Sequence, residues 1–152
     1  MHRPNHWTDD AERGSAAVEF ILLGVLMLVP LVYLVVALGA IQEQSLGAEA
    51  GARHIARAVA TAQGRDDAAR RTRLVLDSVV EEYGLDPGEA SVEFSCRPAS
   101  AACPAPGATL VVTVRTRVTL PLVPSVLGVD EVARIPLEAT SLQKVSRRWG
   151  GG

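Results

Sequence analysis

A lone carboxylate at the head of a long apolar segment is the residue whose position most strongly implies chemistry. Glu19 is followed by Phe20, and no Asp, Glu, Lys or Arg occurs again until Glu43. Holding a charge in lipid costs roughly 2.5–3.5 kcal/mol or more, so a carboxylate kept there usually has a partner of opposite charge. The alternative is a carboxylate at the membrane surface that extends toward the lipid headgroups.

The segment before this carboxylate is a short polar leader that ends at a glycine. Residues 1–14 include Arg3 and Arg13, and Gly14 is followed by the small residue Ser15. A glycine, four residues, a glutamate and an apolar helix of membrane length form the pattern of a type IV prepilin. The pattern predicts cleavage between Gly14 and Ser15. The alternative is a flexible junction ahead of an uncleaved anchor.

The two cysteines predict a disulfide rather than a metal or redox site. Cys96 and Cys103 are separated by six residues that include Pro98. Because we expect this part of the chain to be exported, one isolated pair is most simply a disulfide that closes a loop between two strands. A metal would need further ligands, and no histidine or second cysteine pair lies nearby. The spacing also differs from the Cys-x-x-Cys of redox-active pairs.

No set of residues in the sequence predicts catalysis. Of the three histidines, His2 and His6 lie in the leader, and His54 lies in a helical segment where we expect it to be solvated. The sequence has no phosphate-binding glycine loop, no paired-carboxylate motif and no Ser or Cys nucleophile with an evident base. We therefore expect a structural protein rather than an enzyme, with no cofactor and no metal.

The apolar segment after Glu19 has the length of a membrane span. Residues 20–41 contain no ionisable side chain except Tyr33. As a helix, these 22 residues measure about 33 Å, against a bilayer core of roughly 30 Å. The main alternative is a cleaved secretory signal, whose apolar region is only about 7–15 residues long. Residues 37–39 (Ala-Leu-Gly) would be its weak cleavage site.

The basic residues near the span predict its orientation. Arg3 and Arg13 precede it, and the next basic residue is Arg53. The positive-inside rule counts Lys and Arg close to the membrane, so the N-terminus is expected in the cytoplasm and the bulk of the chain outside. The formal net charge of −2 gives no basic field for nucleic acid.

The composition fits one small domain joined to this span. The 152 residues are 48% hydrophobic but only 4% aromatic, so the apolar content is aliphatic and concentrated in one segment. We expect five parts: a leader (1–14), a transmembrane helix (15–41), a helical stalk (42–63), a small exported domain (64–146) and a flexible tail (147–152). Trp149 and the closing glycines are expected to be loose.

Helical periodicity extends well beyond the span. No proline occurs in residues 40–62, and alanines recur four residues apart, on one helix face. Gly47 and Gly51 on this segment would allow another backbone to approach closely. The stripe has two interpretations, a simple preference for helix or a flat face that packs against the domain or a neighbouring helix. Residues 64–67 break this helix and supply an N-cap for a second helix over residues 68–83.

After Pro87 the hydrophobic period changes from helical to two. Residues 90–96, 109–120 and 132–145 are predicted strands, and Pro136 places the third at an edge or a bulge. The fold class is therefore α+β: a long N-terminal transmembrane helix that continues into a small domain of one or two helices and a short antiparallel sheet. Pro30 within the span is expected to kink the helix or loosen one turn.

Residues 13–20, Arg-Gly-Ser-Ala-Ala-Val-Glu-Phe, resemble the N-terminal motif of the TadE/TadF-like minor pseudopilins of the tight-adherence (Flp-type) pilus system. Residues 48–56 are similar to the alanine-rich segment that follows the anchor in such proteins. The resemblance implies cleavage by a prepilin peptidase after Gly14, which makes Ser15 the new N-terminus. It also places Glu19 and Phe20 at the position where subunits assemble, with the α-ammonium of one subunit beside Glu19 of another.

The same resemblance implies the partners and the location of the chain. The partners would be the prepilin peptidase, other pilin or pseudopilin subunits, the membrane machinery of pilus assembly and the lipid bilayer, without nucleic acid. The chain would be a single-pass protein of the cytoplasmic membrane, in or at the base of a pilus. The alternatives are an ordinary single-pass membrane protein and a secreted binding domain with an N-terminal signal.

Overall fold

The computed structural model describes residues 9–99, 102–121 and 134–150, with side chains from residue 16 onward. It contains helix α1 (Asp9–Ala60), helix α2 (Arg65–Tyr83) and strands β1 (Ser91–Arg97), β2 (Thr109–Thr119) and β3 (Arg134–Lys144). The chain forms two compact units, Met1–Leu38 and Gly39–Gly152. The α+β composition predicted from the sequence is confirmed.

Helix α1 begins earlier than the sequence predicts. Its first residue among those described is Asp9, so the second half of the leader is helical rather than irregular. No proline interrupts residues 9–29, and Asp9 and Asp10 at the helix start complement the positive end of the helix dipole. The helix is also continuous through Pro30, which removes one backbone donor without ending it.

The core of the second unit lies between the helices and one face of the sheet. Helix α1 contributes a stripe of small and branched residues, which is buried against β2, β3 and the end of the chain: Ala48, Ala52, Ile55, Ala56 and Val59. The alanines are 1% exposed and Ile55 is 0% exposed. Of the two interpretations of the alanine stripe, the packing face is therefore the one observed for this part of α1.

Two glycines allow α2 to approach α1 closely. A Cβ placed on Gly47 would come within 2.6 Å of the Tyr83 Cβ, and one placed on Gly51 would lie 3.4 Å from a Val79 methyl carbon. Near the other end of the pair, Arg71 Nη1 donates to Thr61 Oγ1 at 3.5 Å. The helices therefore run antiparallel, and any larger residue at position 47 would force them apart.

The two ends of α2 are capped differently, since its N-cap residue, Gly64, makes no side-chain cap hydrogen bond, whereas a glycine ends the helix. Helix α2 starts at Arg65, three residues before the predicted start. Asp67, in the first turn, accepts the backbone N–H of Gln63 at 3.1 Å and so satisfies a donor at the helix entrance. Gly84 ends the helix in the left-handed conformation (φ 61°), where the lack of a Cβ removes the steric penalty.

The three strands form one antiparallel sheet in the order β1-β2-β3. The alternation on β2 puts Leu110, Val112, Val114 and Val118 on the buried face and Arg115 and Arg117 on the other, as predicted. Strand β3 is an edge strand that contains Pro136, which also agrees with the prediction. Residues 132–133 of the predicted third strand lie outside the described residues.

Candidate functional site

The predicted processing bond lies within helix α1. Both Gly14 and Ser15 have helical backbone in the described chain. In a regular helix the carbonyl of residue 14 would accept the N–H of residue 18, so a peptidase would have to open the first turns before cleaving the bond. Helix ends fray at low cost, and this bond is only six residues from the described start of the helix, at Asp9.

Glu19 is an exposed carboxylate within an otherwise uncharged stretch of helix surface. Its neighbours Val18 and Phe20 are 64% and 78% exposed. A helix brings residues three and four apart into contact, and at those distances Glu19 has only Ser15, Ala16, Leu22 and Leu23. No described residue forms an ion pair with Glu19. Among the residues whose side chains are described, from residue 16 onward, none supplies a cation to this carboxylate.

The helix around Glu19 is long and apolar enough to cross a membrane. The candidate span within Ala16–Ala60 has a mean hydropathy of 2.9 over its best window, and only 6% of that window is buried. Large aliphatic side chains are exposed all round this part of α1, including Leu26 at 59% and Val29 at 62%. Length and composition alone would also admit a signal sequence.

The two cysteines are brought together as predicted. The Cys96 and Cys103 sulfurs lie 2.09 Å apart, a disulfide distance, with the Cα atoms separated by 5.7 Å. Cys96 is in β1, and Cys103 lies in the loop that leads to β2. Cys103 and Ala105 of this loop pack against the core, so the pair holds the loop beside the sheet.

The expectation that Trp149 is loose is wrong. Its indole Nε1 donates to the Val59 carbonyl at 3.0 Å, and the ring is half-buried against the core. The Ser146 N–H donates to the Ala60 carbonyl at 3.2 Å. The last carbonyls of a helix lack partners within the helix. The end of the chain therefore caps α1.

A second contact ties this terminal segment to the disulfide loop. The Val145 N–H donates to the Ala108 carbonyl at 2.9 Å, and the Gly107 N–H donates to the Val145 carbonyl at 3.3 Å. No glycine directly follows Ala60 to form a local C-cap, so the sequence indicates that the last carbonyls of α1 have another donor. The sequence does not identify that donor as the segment around Trp149.

The exposed face of the sheet carries a network of ion pairs. Arg115 on the central strand pairs with Glu93 on β1 and with Glu138 on β3, the latter at 2.9 Å. The hydrogen bonds that the Arg115 guanidinium donates to Glu138 and Glu93 raise its pKa above the usual value. Glu89 accepts from Arg117 at 2.8 Å and from Arg134 at 3.3 Å. These carboxylates are thus neutralised within the chain.

The described residues assemble no metal-binding cluster of three or more His, Cys, Asp or Glu side chains. His54 is exposed on α1. The carboxylate of Asp67 is the other group with a shifted pKa: the backbone N–H of Gln63 and the Arg71 guanidinium lower its pKa below the usual value. Its role is local, at the start of α2.

Comparison with known proteins leaves the chain without an assigned relative: no family model, no curated protein and no solved structure matches it.

Proposed function

We propose that the chain is a membrane-anchored, pilin-like subunit needed to assemble a tight-adherence type pilus and processed by a prepilin peptidase at Gly14. The observation that carries the proposal is the setting of Glu19. An exposed carboxylate stands at the head of an exposed apolar helix, with no cation within one helical turn. An unpaired carboxylate on such a helix is unfavourable in lipid, so a positive charge from a group other than the helix's own side chains would stabilise it there.

Cleavage after Gly14 would supply that charge. The new α-ammonium of Ser15 on one subunit, placed beside Glu19 of another, would neutralise two charges that are each unfavourable in lipid. The pairing would also fix how far one subunit is displaced along the other. Within a single copy, Ser15 and Glu19 are four residues apart, so the same two groups can also pair across one helical turn before assembly.

Two alternatives differ from this proposal in the fate of α1. A secretory signal would be removed near residue 39, whereas an ordinary single-pass anchor would keep residues 1–14. The exposed apolar surface of α1 supports residence in the membrane. Arg3 and Arg13, which precede the span, support a cytoplasmic N-terminus with the second unit outside. The disulfide-distance cysteines of that unit suit an exported domain.

The first experiment maps processing. The full chain is expressed with a prepilin peptidase, and its intact mass is measured. We expect a mature chain that starts at Ser15, and we expect Gly14→Leu to block cleavage because a bulky side chain replaces the smallest residue at the bond. Gly24→Leu, at a helix position with no neighbour within 4 Å of an added Cβ, is the matched control and should be cleaved normally. A retained leader, or cleavage near residue 39, would contradict the proposal.

The second experiment tests Glu19 itself. Removing one partner of a buried ion pair costs on the order of 3–5 kcal/mol, so Glu19→Ala should be inserted and cleaved but should lose its association with pilin partners. Glu43→Ala removes an exposed carboxylate on the same helix and is the control. Equal recovery of partners by wild type and Glu19→Ala, at equal processing, would show that the carboxylate only reaches the membrane surface.

A further inference from the structure

Helix α2 presents its charges in two separate blocks. We call residues 65–73 the basic half; they include all four arginines of the helix and two aspartates. We call residues 77–82 the acidic half; they include three carboxylates and no basic residue. On the exposed side, Arg70, Arg73, Asp77 and Glu81 follow helical spacing on one face. The face therefore changes sign along its length.

The folded chain leaves most of these charges unpaired. Asp67 forms ion pairs with Arg70 and Arg71, with N···O distances of 3.0 and 2.9 Å. Within the described part of the chain, Arg73, Asp77 and Glu81 have no ion-pair partner. This contrasts with the sheet face, where Arg115 is paired with carboxylates of both neighbouring strands and Arg117 is paired with Glu89, in the turn before β1.

The stability of α2 on its own does not explain the acidic half. The last turn carries Glu81 and Glu82 and no basic residue, although the negative end of the helix dipole favours cations there. Between the two halves lies Leu74, whose side chain is 70% exposed on the same face. An isolated exposed leucine is ordinary, but one flanked by complementary charges has the layout of a small interface with an apolar centre and a polar rim.

We infer that the exposed face of α2 binds α2 of a second copy of this chain, with the basic half of one copy against the acidic half of the other. Charge complementarity selects this occupant, because a second copy supplies both signs at the spacing that the first requires. Arg73 and Glu81 are eight residues apart, so an offset of about 12 Å between parallel helices, or an antiparallel pairing, brings the halves together. This inference does not rest on the proposed function, since it needs only α2 and a second copy.

Charge reversal tests the pairing in full-length chains carrying two different tags. Arg73→Glu leaves three acidic residues and one basic residue on this face, and Asp77→Arg leaves three basic residues and one acidic residue. Each variant should therefore lose its co-purification with a second copy of itself. Mixing the two variants should restore co-purification, because an acidic face then meets a basic one. Lys144→Glu is the control. It reverses the same charge at an exposed position on β3, and it should not change co-purification. Undiminished recovery of either reversed variant with itself, or no recovery from the mixture, would overturn the inference.

Zero-length crosslinking locates the contact. Arg73→Lys keeps the positive charge and introduces an amine that carbodiimide can join to a carboxylate in direct contact. With one copy isotopically labelled, we expect a product between position 73 of one copy and the 77–82 segment of the other. The chain's own Lys144 is the internal control and should not join that segment. At about 1 M salt, where the screening length falls to about 3 Å, the product should be lost. A product that persists in high salt, or one confined to a single copy, would contradict the pairing.

Discussion

The two parts of helix α1 obey different packing rules on the same backbone. Residues 20–36 carry large aliphatic side chains that are exposed on all sides, and the apolar window there is only 6% buried. Residues 48–59 carry a stripe of alanines with Ile55 and Val59, all buried against the sheet. The first part exposes its apolar side chains, whereas the second buries them within the second unit. Side-chain size and periodicity, rather than hydrophobicity alone, separate the two.

The largest expected effect separates the two parts directly. Ile55→Ala should lower the free energy of unfolding of the second unit by about 2–5 kcal/mol, because a fully buried side chain leaves a cavity. Leu26→Ala removes an aliphatic side chain that is 59% exposed and should leave that free energy unchanged. Urea unfolding of the full chain in detergent, followed through protection of β2 amides from hydrogen exchange, measures both. Equal destabilisation by the two substitutions would break the comparison.

The cysteine pair should have the next largest effect, confined to the second unit. By the loop-entropy relation, closing the short ring between Cys96 and Cys103 stabilises the fold by about 2–3 kcal/mol. We expect the pair to be oxidised in protein taken from cells. We also expect replacement of both residues by Ser to reduce the stability of the second unit without changing the proposed membrane insertion of α1. Labelling of both thiols by an alkylating reagent without prior reduction would show that the disulfide does not form.

The sequence predicts the elements well because their patterns are local. The helical alanine stripe, the alternation on β2 and the break between α1 and α2 all depend on residues close in the chain. The cap by Trp149 joins positions that are 90 residues apart, and the pairing of Arg115 with Glu93 and Glu138 depends on strand register. Neither could be derived from local periodicity. At the candidate site the sequence defines which residues surround Glu19 along the helix, because residues three and four apart are neighbours there.

The cap on α1 predicts a smaller effect than the core substitution. Trp149→Phe keeps an aromatic ring but removes the indole N–H that donates to the Val59 carbonyl. That carbonyl also accepts the Ala62 N–H, so it would not be left without a donor. We expect a loss of about 0.5–1.5 kcal/mol in the free energy of unfolding, the usual net value of one hydrogen bond. Arg148→Ala, at the exposed neighbouring position, is the control. A loss as large as that of Ile55→Ala would mean that the ring's packing, not its hydrogen bond, anchors the end of the chain.

The smallest effect concerns pH and lies at the start of α2. The Gln63 N–H and the Arg71 guanidinium lower the pKa of Asp67 in the folded chain below its unfolded value. The folded state therefore binds this proton less readily than the unfolded state. The stabilisation is complete above the unfolded pKa, near 3.8, and is lost as the pH falls through the lower folded value. Asp67→Asn should remove that part of the acid dependence when unfolding is followed from neutral pH into acid. Asp66→Asn, at the exposed neighbouring position, should retain it. If both variants keep the wild-type slope, the carboxylate does not hold the start of α2, and the Gln63 N–H must be satisfied by water.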